Sequence, residues 1–169
     1  MAHDWRHFDR AFNEVTSSIV ADDTLKATLR TVLRKFFVDG GYPRDEIREI
    51  NRILADGSWR WPEFDAQMDA LGGLSQAEAF HHRLWNLAYT YGHDDEFKIN
   101  ARHAPYKMFS AVKDSRSPPE CLAADGFIKK HDDEFWLKRP IPCARLNCRC
   151  KYIQLSERER ERIESGRSR

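Results

Sequence analysis

The stretch Lys107–Tyr152, KMFSAVKDSRSPPECLAADGFIKKHDDEFWLKRPIPCARLNCRCKY, decides how this chain is read. All four cysteines lie in it, Cys121, Cys143, Cys148 and Cys150, together with His131. Five of the seven prolines fall beyond residue 100, at positions 105, 118, 119, 140 and 142. Proline lacks an amide donor and clashes with the preceding helical turn, so long helices do not run through such a region. Short strands are expected instead, at Tyr106 to Val112, Gly126 to Lys129 and Lys151 to Leu155. Asp125 followed by Gly126 is a turn dipeptide, because glycine reaches positive φ at no steric cost, and it leads the chain into Phe127 and Ile128. Asp114 and Arg116 stand on one face at the end of the first expected strand, where charge-assisted bonds would hold the cysteine loop.

Upstream, the pattern is helical. Trp5, Phe8, Phe12, Val15 and Ile19 recur at steps of three and four. Asp22 or Asp23 caps a second helix with Leu25, Leu29, Val32, Leu33 and Phe36 inward, closed by Gly40 and Gly41. Pro43 opens a third, with Ile47, Ile50, Ile53 and Leu54 inward and Gly57 as its stop. Trp59 and Trp61 read as a turn packed by indoles, and Phe64, Met68 and Leu71 continue the helical spacing. Ser75 with Glu78 forms a capping box for a helix carrying Phe80, Leu84, Leu87 and Tyr91, with Gly92 expected as its end. His81 and His82 are about 100° apart on that helix, so at most one faces inward. Downstream, Ser156 and Glu159 form a second capping box before a Glu/Arg tail with almost no apolar face, a solvated or partner-seeking helix. HDDEF occurs twice, at 93–97 and 131–135, and both copies read as acidic turns. The resulting expectation is an α+β chain: a helical region over 1–100, a small cysteine-containing lobe with a few short strands over 101–155, and a charged helix or tail over 156–169.

Composition limits function. In 169 residues, 28 Lys and Arg face 27 Asp and Glu, so attraction to nucleic acid has to be local. No run approaches the roughly 18 to 20 apolar residues of a spanning helix, and no membrane partner is expected. The start, MAHDWRHFDRAF, does not resemble a secretory leader, which places the thiols in a reducing compartment. There, Cys121, Cys148 and Cys150 with either His131 or Cys143 are the set that would hold zinc. The spacing forms no CxxC knuckle, so small buried cysteines at a strand end are the competing reading, and a disulfide from Cys121 to Cys148 or Cys150 a third. From Lys138 to Ser156 there is no acid, while Lys138, Arg139, Arg145, Arg149 and Lys151 give a local charge of +5 suited to phosphate. The two HDDE groups supply residue types for hydrolysis. Walker, GxSxG, dinucleotide and zinc-deaminase signatures are all missing, and no catalytic residue is assigned.

In order, AVKDSRSPPEC, LAADGFI, HDDEFW and RPIPCARLNCRCKY resemble the carboxy-terminal domain of the phage Mu F-like minor head proteins, the head morphogenesis family. The matching positions are Asp114, Arg116, Ser117, Cys121, Asp125, Gly126, Asp133, Phe135, Trp136, Pro140, Pro142, Asn147, Cys148, Arg149 and Cys150, and the ending NCRC is the most specific part. HHRLWNLAYTYG stands where many members carry an Arg-Thr-Glu type helix, and the upstream region is short. The resemblance implies a non-enzymatic component of the phage head, present in the virion after assembly in the bacterial cytoplasm. Its implied partners are portal or coat protein and packaged DNA. Two other classes remain open from the residues: a nuclease or toxin-type effector of a phage-like system, and a small zinc-stabilised adaptor.

Overall fold

Apolar residues at steps of three and four make the first helix, α1 (Trp5–Ser17), and bury Phe8, Ala11, Phe12 and Val15 on one face. These positions come from a computed structural model, which describes residues 5–55, 59–62, 75–115, 117–138 and 148–167. In α2 (Asp23–Asp39), the Asp22 carboxylate accepts the Leu25 amide at 2.7 Å. The helix closes at Gly40, whose φ of 69° is left-handed and whose amide reaches the Phe36 carbonyl. Pro43 begins α3 (Pro43–Ala55), where a missing amide leaves no helical bond unmade. Trp61 is buried and donates its indole N–H to Ser18 Oγ at 3.0 Å, while Val20 and Arg60 pair as an isolated bridge. Gly57, Phe64, Met68 and Leu71 lie outside the described residues.

The capping box forms as expected. The Ser75 amide donates to Glu78 Oε2 at 2.7 Å and the Glu78 amide to Ser75 Oγ at 3.2 Å, opening α4 (Gln76–Asn100). This helix does not stop at Gly92. A glycine inside a helix costs only about 1 kcal/mol relative to alanine. Beyond it, buried Phe97 and the His93–Glu96 and Asp95–Lys98 pairs favour continuation. The helix ends where the Asn100 carbonyl accepts the His103 and Ala104 amides ahead of Pro105. The first HDDEF copy is therefore helical and not a turn.

The described chain divides into two compact units, one running through Tyr91 and the other beginning at Gly92. The first is built around one apolar cluster that includes Phe12, Leu33, Ile50, Phe80 and Leu84, with Phe37 stacked on Trp85 at 4.0 Å between ring centres.

In the second unit, β1 (Tyr106–Ser110) is the centre of a three-stranded antiparallel sheet of order β2-β1-β3. β2 (Ile128–Lys130) sets Ile128 opposite Met108 and Lys130 opposite Tyr106; β3 (Lys151–Leu155) sets Tyr152 opposite Phe109. β1 is shorter than its expected span because the Ala111 amide bonds to the Asp125 carboxylate. Between the strands come α5 (Pro119–Ala124) and the single turn α6 (Phe135–Lys138), which follows the second HDDEF copy, a true turn capped by Asp133 on the Phe135 amide. Phe109, Cys121, Ala124 and Trp136 form the small core, with Ala111, Phe135, Cys150 and Tyr152 against it. The tail is helical, α7 (Glu157–Arg167), capped by the Ser156–Glu159 box, and its Arg160 guanidinium lies 4.9 Å from the Tyr106 ring centre. The fold is α+β. Among the described residues no helix is long and apolar enough to cross a membrane.

Candidate functional site

The motif string closes on itself through one ion pair. Arg149, inside NCRC, donates from both terminal nitrogens to both oxygens of Asp114 at 2.7 Å. Planar guanidinium and carboxylate match as a fork, which fixes orientation as well as charge. The bond to Asp114 holds the Arg149 pKa above its already high value, and the nearby Cys150 and Cys148 sulfurs act in the same direction. Asp114 also receives the Ser117 hydroxyl at 3.2 Å. Asp114 is therefore tied by a charge-assisted fork to the segment that carries Cys148 and Cys150, through the motif's own arginine. Arg116 and Asn147 lie outside the described residues.

Asp125 and Gly126 tie the end of α5 to the central strand. Asp125 accepts the Ala111 amide at 2.9 Å and pairs with Lys113 at 2.8 Å. Gly126 has φ 77° and donates to the Phe109 carbonyl at 2.8 Å. That positive φ explains why glycine follows the aspartate. Trp136, 7% exposed, packs edge-on against Tyr152 and donates its indole N–H to the Lys130 carbonyl at 2.6 Å.

Cys121 and Cys150 share the small core, and Cys148 is buried beside Arg149. His131 sits in the acidic turn, its Nδ1 3.8 Å from Asp132. Cys143 lies outside the described residues, and among those described no three His, Cys, Asp or Glu side chains gather into a metal-holding group.

Three of the five basic residues of the run are described, and each has a different setting. Lys138 pairs with Glu134 of its own turn at 3.1 Å, Arg149 is held by Asp114, and Lys151 is exposed on β3. Arg139 and Arg145 lie outside the described residues.

Two constellations escaped the sequence reading. Lys107 is 8% exposed, bonds Asp94 at 2.9 Å, and has its ammonium 4.8 and 5.0 Å from the ring centres of Phe97 and Tyr152. Its alternation with buried Phe109 along β1 was the available signal. In the helical unit, Glu46 is fully buried; Trp85 donates to its Oε2 at 2.8 Å, and His81 Nδ1 lies 3.3 Å from Oε1. Glu46 shares the helical step of Ile50 and Ile53, which is how it could have been found. His81 is buried and His82 exposed, as their angular separation requires. Nearby in sequence, the Tyr91 phenol is pushed up to about 12, by burial first and then by its hydrogen bond to Glu14.

Compared with known families, residues 46–153 match the model described as Phage Mu protein F like protein. No curated protein and no solved structure matches the chain.

Proposed function

Because the chain belongs to the phage Mu protein F-like family, we propose that it is a minor structural protein of the phage head, acting in head morphogenesis and not in catalysis. In this reading it resides in the virion, contacts portal or coat protein, and touches packaged DNA through phosphate.

The observation that carries the non-catalytic reading is the engagement of both HDDE groups. Asp94 bonds Lys107, Asp95 bonds Lys98, Glu96 lies against His93, Asp133 caps Phe135 and Glu134 bonds Lys138. A general acid or base has to face a reacting atom, and these five carboxylates face three lysine ammonium groups, one amide and one imidazole of their own chain. The Asp114–Arg149 fork likewise orients the motif inward.

Co-sedimentation tests the assignment. The protein is expected to travel with intact particles and to stay with the DNA when they are opened; absence from purified particles overturns it. Incubation with plasmid DNA and Mg²⁺ or Mn²⁺ tests the effector alternative. No cleavage is expected, and cleavage abolished by His131→Ala or Asp133→Ala would replace the structural reading with a nuclease.

A further inference from the structure

We infer that the lobe attaches to its protein partner in the head through the second face of its sheet, where Ile128, Met108 and Ile153 receive the apolar stripe of an amphipathic helix flanked by carboxylates. The inference rests on the proposed attachment to portal or coat protein and specifies where it is made.

The first face of the sheet is already used. Along β1, Lys107 and Phe109 are buried, while Tyr106, Met108 and Ser110 are half-buried. Directly opposed residues of antiparallel strands point the same way, so the register assigns every side chain to a face. Phe109 and Tyr152 belong to the face that meets Cys121, Ala124 and Trp136. The other face has three rungs: Lys130, Tyr106 and Leu155; then Ile128, Met108 and Ile153; then Ser110 and Lys151. Five of these eight side chains are aliphatic or aromatic, whereas a sheet face left to water carries polar residues. Ile128, Met108 and Ile153 keep part of their surface exposed, and among the described residues none of them packs against the small core.

The tail helix does not supply the missing apolar surface. α7 is anchored on the first rung, where Arg160 lies over the Tyr106 ring and Glu157 bonds the Tyr106 hydroxyl, close enough to Lys130 to feel its charge. Its sequence, ERERERIESGR, holds one large apolar residue, Ile163, and so offers no stripe for the middle rung.

Size and charge define the occupant. The outer strands of a three-stranded sheet lie about 9–10 Å apart, close to the roughly 10 Å diameter of one helix. At the end away from α7, Lys151 is exposed, and the strands YKMFS, IKK and KYIQL contain no acid. A carboxylate beside the apolar stripe of the incoming helix complements that end. A second copy of this face would instead set Lys130 and Lys151 against the same lysines, so the occupant is a helix of another protein.

The test adds labelled full-length chain to purified, DNA-free empty heads that lack it and measures what sediments with them. Met108→Thr with Ile128→Thr and Ile153→Thr keeps residues that suit a strand and is expected to lose about tenfold or more in affinity. Lys151→Glu is expected to lose about threefold at low salt and less at high salt. Lys129→Glu lies on the same sheet but on its first face, and is expected to bind like the parent. A second readout needs no variant: oxidation of the Met108 thioether by hydrogen peroxide is expected to slow severalfold when the parent is bound to heads.

Unchanged binding by the triple variant overturns the inference and leaves the attachment standing. Unslowed Met108 oxidation in bound parent also overturns it, because any loss in the triple variant then reflects misfolding. Tighter binding by Lys151→Glu overturns the acidic helix as occupant. A parent dimer that the triple variant dissociates assigns the face to a second copy and overturns the inference. No binding by the parent overturns the attachment and the inference together.

Discussion

The two units hold together by different means. Among the described residues, the helical unit gathers twenty buried side chains into one apolar cluster, whereas the largest such cluster of the sheet lobe holds four. The lobe compensates with directional ties: Arg149 to Asp114, Lys107 to Asp94, Asp125 to the Ala111 amide, Trp136 to the Lys130 carbonyl, and Gln154 to the carbonyls of Phe97 and Ala104. A small unit cannot bury enough apolar surface to fix its chain by that means alone, so identity at particular polar positions replaces volume at many apolar ones. In the helical unit a side chain matters for its size and face. In the lobe it matters for the shape of its polar head.

The comparison breaks first at its apolar side. Phe80→Ala removes a fully buried ring that packs near Phe12 and Trp61, and about 3–5 kcal/mol of stability is expected to be lost in urea unfolding. A loss under 1 kcal/mol would mean that the cluster is not what holds this unit. Glu46→Ala probes the one lobe-like feature of the helical unit. It removes the carboxylate that accepts the half-buried Trp85 indole N–H and leaves a gap beside buried His81, for an expected cost of about 2–3 kcal/mol. Glu46→Gln keeps an acceptor for Trp85 and is expected to cost less. Equal losses from the two variants would show that the charge, and not the hydrogen bond, is what Glu46 supplies.

In the lobe, Asp114→Ala is expected to cost about 1–2 kcal/mol, less than a fully buried pair because both partners are a quarter to a third exposed. Arg149→Lys sharpens the contrast, since it preserves charge and removes the fork. Trp136 fluorescence during unfolding reads both variants. If polar shape governs the lobe, the lysine variant falls close to Asp114→Ala; full stability would mean that charge alone suffices.

Legibility in the sequence follows the same division. Periodicity reports volume and face, so α1, α2, α3 and the caps at Gly40 and Ser75 are readable, as is the rule that at most one of His81 and His82 turns inward, though not which one. The end of α4 was not, because helical continuation past Gly92 depends on pairs at 93–98 that resemble a turn in one dimension. In the lobe, β3 was read to the residue, and Asp114, Asp125, Gly126 and Trp136 were singled out, yet their partners were not. Arg149 reads as a phosphate contact because charge along a chain shows sign and not pairing. Its carboxylate lies 35 positions upstream. Lys107 and Glu46 were missed for the same reason, being charged residues whose burial becomes tolerable only through distant partners.

The capping boxes give the smallest effect, and the two units share the motif. In each, the carboxyl is held below its ordinary range by the box serine: Glu78 by the Ser75 amide first and then its hydroxyl, Glu159 by the Ser156 hydroxyl first and then its amide. A carboxyl pKa lowered on folding contributes stability that is complete above its unfolded value and is lost as pH falls through the folded one. Glu78→Gln is therefore expected to flatten the acid limb of stability against pH just below the ordinary glutamate range. Ser75→Ala keeps the amide that dominates the shift, so it is expected to lower stability by about 1 kcal/mol at neutral pH while leaving that limb largely in place. Ser156→Ala has the same sign, but its box is exposed at the start of a helix with little apolar surface. Amide exchange is expected to show α7 fraying while protection in β1 is unchanged. Loss of protection in β1 would make the tail helix part of what holds the lobe, and the contrast between the units would have to be redrawn around it.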